Sequence, residues 1–139
     1  MVVQVVVAVV LLAVAAAIAL WLERRRRPTA VPVHAPVPAQ LERSDFPRPD
    51  APWLVVVFSS STCEGCAPMA EKARALESDE VAVVEVEYHE QRALHERYGI
   101  EAVPIVVVTD HEGVTRKSFT GTASATDLWA AVAELRRSA

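Results

Sequence analysis

Cys63-Glu64-Gly65-Cys66 holds both cysteines of a 139-residue chain. Thiols spaced C-x-x-C can close a small disulfide ring, so the chemistry available here is exchange between a dithiol and a disulfide. The pair directly follows an apolar run, Trp53-Leu54-Val55-Val56-Val57-Phe58, that reads as a buried strand. It directly precedes residues 67–76, which read as a helix. A thiol at such a junction meets the positive end of the helix, which favours the thiolate. Cys63, nearer the helix start and the surface, is the expected nucleophile. Cys66, one turn in, is the expected resolving thiol. Glu64 between them should raise the thiolate pKa of Cys63 by repulsion, against the helix dipole.

Two other uses of the cysteines fit less well. A closed zinc site needs four nitrogen or sulfur ligands. The remaining candidates, His89, His95 and His111, lie far along the chain, and His89 and His95 are spaced so that they would not share a helix face. They read as solvated surface residues, and no metal or cofactor is expected. A purely structural disulfide gains little from so small a ring, because it constrains little of the unfolded chain. Trp53, Tyr88, Tyr98 and Trp129 read as core or half-buried packing.

The elements that must position the pair are regular from Trp53 onward. Residues 53–59 read as a strand and 64–77 as a helix, with Ser61 or Thr62 as candidate cap. Val81-Ala82-Val83-Val84-Glu85-Val86-Glu87 reads as a strand. Residues 90–98 read as a helix ended by Gly99. Residues 104–109 read as a strand, Asp110-His111-Glu112-Gly113 as a turn, and 114–119 as the strand completing a hairpin. Ser124-Ala125-Thr126-Asp127 resembles a capping box with Asp in place of Glu, opening a last helix with Leu128, Val132 and Leu135 on one face. The order is β-α-β-α-β-β-α. The first crossover implies two parallel strands, and the hairpin adds antiparallel ones.

This order, with these residues in these places, resembles the thioredoxin-fold family. The resemblance is carried by Cys63 and Cys66 between strand and helix, by Arg97-Tyr98-Gly99-Ile100-Glu101-Ala102-Val103-Pro104, by the turn from Asp110 to Gly113, and by Phe119-Thr120-Gly121. It covers residues 51–137. It implies an α/β fold with a four-stranded mixed sheet of order 2-1-3-4, and a Pro104 that is cis and faces the cysteines. It implies that Val103 offers its backbone N–H and C=O to an extended substrate strand. Thioredoxins usually carry Trp before the first cysteine and Gly-Pro between the pair, where this chain has Thr62 and Glu64-Gly65. Their buried carboxylate on the central strand is here Val57, so proton transfer to and from Cys66 must use water or another group.

The first 27 residues are a different material. Residues 2–22 contain a single polar side chain, Gln4. At ~1.5 Å per residue the run spans about 31 Å of helix, enough for a bilayer core of roughly 30 Å. A cleaved signal peptide fits less well: no basic region precedes the run, and no small-x-small site ends it. Trp21 is placed as an interfacial anchor, and Arg24, Arg25, Arg26 and Arg27 follow. The positive-inside rule then puts the N-terminus outside and the C-terminal domain in the cytoplasm. Residues 28–52 hold seven of the nine prolines, and 28–50 read as a spacer, with His34 a solvated bystander and residues 41–46 forming a helical turn or docking on the domain edge. The domain is expected to start at residue 51. Beyond Arg27 the chain keeps 10 of 14 Lys+Arg but 17 of 18 Asp+Glu, which argues against a nucleic-acid partner.

Two function classes follow. One is a single-pass, membrane-tethered thiol–disulfide oxidoreductase acting on protein disulfides, fed by a soluble or membrane-embedded electron donor. The other is a redox-sensitive adaptor or assembly module that holds a membrane partner with little turnover.

Overall fold

The computed structural model describes residues 1–26 and 35–139. The expected basic flank and spacer therefore lie partly outside the described residues: Arg27, His34 and the prolines between them. The chain forms two units, each described by itself.

The first unit is a helix, α1 (Val2–Arg26). Its apolar stretch, Val2–Trp21, is 20 residues long and wholly unburied, so by length and composition it can cross a membrane.

In the second unit β1 (Trp53–Ser59) is buried on both faces along its whole length. An unbroken run of large apolar residues demands this: both faces of the strand must be covered. It lies between β2 (Val81–Glu87), parallel to it, and β3 (Ile105–Thr109), antiparallel to it. The β4 strand (Thr115–Thr120) pairs antiparallel with β3, giving the order β2-β1-β3-β4 that the resemblance implied. Arg116 and Lys117 on outermost β4 discourage edge-to-edge pairing. Side chains alternate between two cores. Trp53, Val55 and Val57 face a layer formed by α2 (Cys66–Arg74) and α4 (Ala125–Ser138), with Met69, Ala73, Leu128 and Val132. Leu54, Val56 and Phe58 face the other way. Ser124 caps α4 by accepting from the Asp127 N–H at 3.0 Å, as the sequence suggested.

The second face is covered by α3 (Arg92–Arg97) and by a segment the sequence reading left outside the domain. Residues 35–50 pack against it as a strap. Leu41 and Phe46 are 0 % and 5 % exposed and join Leu54, Val56, Val107 and Tyr98 in one cluster. The Leu41 N–H donates to Gly113 O at 2.8 Å, and the Thr115 N–H to Ala39 O at 2.9 Å. A 3-10 turn, Arg43–Asp45, follows. The buried Arg43 guanidinium donates to the carbonyls of Asp110 and Ala51, at 2.8 and 2.9 Å. Burial pulls its pKa below the ordinary arginine value, against the attraction of Asp110 and Asp50. The domain thus begins well before residue 51, because α3 is too short to cover that face alone. Gly113 adopts φ +82°, and a Cβ there would lie 1.9 Å from Leu41 O, so only glycine lets the strap dock.

The α3 helix ends as Gly99 required. With φ +63°, Gly99 donates to Glu96 O at 3.2 Å while the Ile100 N–H reaches His95 O at 2.9 Å. His95 itself is 2 % exposed, not solvated as expected. Its Nε2 lies 2.9 Å from Val86 O, and its ring stands edge-on to Phe58 and Tyr88. That bond and those rings let a short helix bury a polar side chain. Trp129 departs in the other direction: it is 44 % exposed, with its Nε1–H donating to Lys72 O.

Candidate active site

The end of β1, the start of α2 and the approach to β3 converge on the cysteines. Cys63 and Cys66 are joined in a disulfide, Cα to Cα 5.5 Å. Cys63 is partly exposed, and Cys66 is 2 % exposed. Two successive turns lead into the helix, Cys63 N–H to Ser60 O at 3.1 Å and Cys66 N–H to Cys63 O at 3.3 Å. They delay it. The helix starts at Cys66 with Gly65 as N-cap and no side-chain cap, so neither Ser61 nor Thr62 caps it. Cys66, not Cys63, holds the first helical position, and Cys63 lies ahead of the cap. The Ser60 hydroxyl instead lies 3.1 Å from that of Thr62.

Pro104 is buried beside this loop, and the Val103–Pro104 peptide bond is cis. A Cβ built on Gly65 would lie 4.0 Å from Pro104 Cδ and only 2.8 Å from the Thr122 methyl. The loop between β4 and α4 thus forms a third wall, which sequence reasoning did not foresee. The Gly121 N–H donates to Pro104 O at 2.8 Å, and the Lys72 ammonium to Ala123 O at 2.9 Å. Val103 keeps its backbone N–H and C=O without hydrogen-bond partners among the described residues, and it is partly exposed.

A sequence profile described as a thioredoxin-like domain matches residues 41–136. The chain belongs to the thioredoxin-like family. The profile starts at Leu41, the strap residue that enters the core. The thioredoxin-like fold is similar to that of Fasciola hepatica thioredoxin, with a TM-score of 0.53 and 26% identity over 62% of this chain and 83% of that one. It is also similar to the germline-specific thioredoxin Deadhead from Drosophila melanogaster, with a TM-score of 0.54 and 24% identity over 63% and 84% of the two chains. A malarial protein gives a TM-score of 0.53 at 13% identity, over 60% of this chain and 96% of that one. No curated protein sequence matches the chain.

One residue of this thioredoxin-like site carried no sequence signal beyond the alternation of Val and Glu in β2. Glu87 binds the cysteine loop to the turn after β2. Its Oε1 accepts from the Ser61 N–H at 2.7 Å and lies 3.0 Å from His89 Nδ1. Its Oε2 accepts from the N–H groups of His89 and Glu90 at 2.7 and 3.0 Å. These donors, led by the His89 ring, hold its carboxyl down at about 2. Among the described residues, no three His, Cys, Asp or Glu side chains gather as metal ligands.

Proposed function

We propose that the protein is a membrane-tethered thiol–disulfide oxidoreductase that exchanges electrons with protein disulfides through Cys63 and Cys66. One observation carries the reading: a bonded pair in which Cys63 is partly exposed and Cys66 is buried. That asymmetry supports one order of events. The Cys63 thiolate attacks a partner disulfide and forms a mixed disulfide. Cys66 then attacks the Cys63 sulfur, re-forms the internal bond and releases the partner reduced. Oxidation of a partner runs the steps in reverse. Val103, with its free N–H and C=O, is the platform for an extended partner strand, and Pro104 is the apolar surface beside the sulfurs. Thioredoxin-like family membership supports thiol–disulfide redox chemistry in general.

The membrane part of the reading rests on α1 and the arginines behind it. Residues 28–34, ahead of the strap, read as a proline-containing spacer. Arg24, Arg25, Arg26 and Arg27 favour a cytoplasmic domain. The cytosolic poise then favours the dithiol and a reductase role, with electrons from a soluble or membrane-embedded donor.

The test uses the full chain in detergent with insulin and a dithiol reductant. Wild type should reduce insulin. Cys63→Ser should abolish this, and Cys66→Ser should accumulate mixed disulfides through Cys63. A wild-type chain without turnover, or trapping through Cys66 in a Cys63→Ser chain, would refute the reading. Absence of turnover with retained partner binding would favour the adaptor class.

A further inference from the structure

A cavity of about 390 Å³ adjoins the cysteine loop, lined by Ser60 and Thr62 from that loop, His89 and Glu101, and Ala102 and Val103 ahead of Pro104. Val103, the proposed platform for a partner strand, lines this space, so a partner cysteine held there would enter it. His89 is held at its wall by a carboxylate. Its Nδ1 lies 3.0 Å from Glu87 Oε1, and its backbone N–H donates to Oε2 at 2.7 Å. Ser61, two residues from Cys63, donates its own N–H to Oε1 at 2.7 Å, and its hydroxyl lies 3.3 Å from His89 Nδ1. The imidazole is therefore pinned to the loop that carries the reactive sulfur.

The pinning also sets the tautomer. Glu87, drawn down to about 2, is ionised and acceptor-only at neutral pH. Its partner nitrogen, Nδ1, must then carry the proton. Nε2 of the neutral ring is left with a free lone pair and makes no hydrogen bond among the described residues.

We propose that His89 is the general acid–base of the exchange, moving the proton of the substrate sulfur through Nε2. This rests on the exchange reading and deepens it by naming the proton carrier. From the disulfide form, a substrate thiol gives its proton to Nε2 and its sulfur attacks Cys63 Sγ. The new S–S bond forms, the Cys63–Cys66 bond breaks, and the electron pair leaves on Cys66 Sγ. The substrate sulfur is oxidised and Cys66 is reduced, with no further reactant. In the reducing direction the protonated ring returns that proton to the substrate sulfur as it leaves. The other groups near the ring are Tyr88, edge-on with ring centres 5.3 Å apart, and Glu101, which lines the same cavity. Arg92 lies over Tyr88, 5.6 Å from the ring centre, and is paired with Glu96.

The test compares the full-length wild type with His89→Gln, in detergent and reduced, on three probes. Insulin releases alkyl thiolates, which gain from protonation. An aromatic disulfide such as dithiobis(nitrobenzoate) releases a stable thiolate that does not. Iodoacetamide alkylates Cys63 with iodide as leaving group. The variant should lose about 10-fold in kcat/KM on insulin, less than the roughly 10²–10⁴ typical of positioned proton transfer because a thiolate departs without full protonation. The rates with the aromatic disulfide and iodoacetamide should stay near wild type. An unchanged insulin rate overturns the proposal. So does an equal loss on all three probes, which would mean that the substitution displaced Cys63. A wild type inert to insulin refutes the exchange reading itself, and this proposal with it, before His89 is changed.

Discussion

Leu41→Ala tests whether the strap is part of the domain. Leu41 is 0 % exposed and lies among Phe46, Leu54, Val56 and Val107. The change removes three carbon centres from this cluster. At ~0.8 kcal/mol per buried methylene the transfer loss alone is about 2.4 kcal/mol. Imperfect refilling of the space adds to it, placing the cost in the 2–5 kcal/mol range of buried Leu→Ala changes. In a domain of roughly 100 residues, 1 kcal/mol moves Tm by about 4–8 °C, so Tm should fall by at least about 10 °C. Thermal unfolding followed by near-ultraviolet circular dichroism would measure this, with exposed Ser44→Ala as the control. A fragment of residues 51–139 should be less stable still, because it uncovers Leu54, Val56 and Phe58 together. If Leu41→Ala melts within about 2 °C of wild type, or if fragments 35–139 and 51–139 melt together, the strap is an accessory and the reasoning is wrong.

Gly65→Ala should leave the fold within about 1 kcal/mol of wild type yet slow insulin reduction, because its Cβ meets the Thr122 methyl at 2.8 Å. Thr122→Ser removes that methyl, and in the Gly65→Ala background it should restore the rate; no rescue would sink the steric account. Glu87 carries a folded pKa of about 2 against an ordinary 4.5, so its stabilisation is complete above pH 4.5 and is lost as pH falls toward 2. Chemical denaturation across that window should show a shallower acid loss in Glu87→Gln, and an unchanged slope would count against the carboxylate's role. If α1 anchors the chain as proposed, the full chain should remain in the membrane fraction through high-salt and alkaline washing, which an apolar span withstands and a charge contact does not; release by either wash would refute the anchor. External protease applied to intact cells should leave the domain whole, and its digestion would overturn the cytoplasmic assignment.

The cysteines and their strand-to-helix setting were legible because adjacent local signals agreed: an all-apolar run, then C-x-x-C, then a helical pattern. Pro104 was legible from Tyr98 to Val103 ahead of it. The strap was not. Leu41 and Phe46 are its principal apolar anchors, and they stand among prolines and charges with no repeat to mark a buried face. Their burial depends on where Gly113 meets Leu41 and Thr115 meets Ala39 in space. His95 was misread for a similar reason, since nothing in a six-residue helix announces that two aromatic rings and a strand carbonyl will enclose it. The start of α2 shifted by two residues because the turns through Ser60 and Cys63 claim the backbone groups that a longer helix would use. Glu87 and His89 became visible as a pair only once the loop carrying Ser61 was folded over them.

The strap joins the sheet at the hairpin turn by Gly113, beside the Trp53 end of β1, whereas Cys63 follows the Ser59 end. Seven residues of strand, about 23 Å at ~3.3 Å each, separate the two ends. A fluorophore or resin attached at the exposed turn residues His111 or Glu112 therefore meets the domain at the end away from its sulfurs. Immobilised in this way, the protein presents its cysteine loop outward as bait, and mixed disulfides can be collected on a solid support without a handle crowding the cavity they form in.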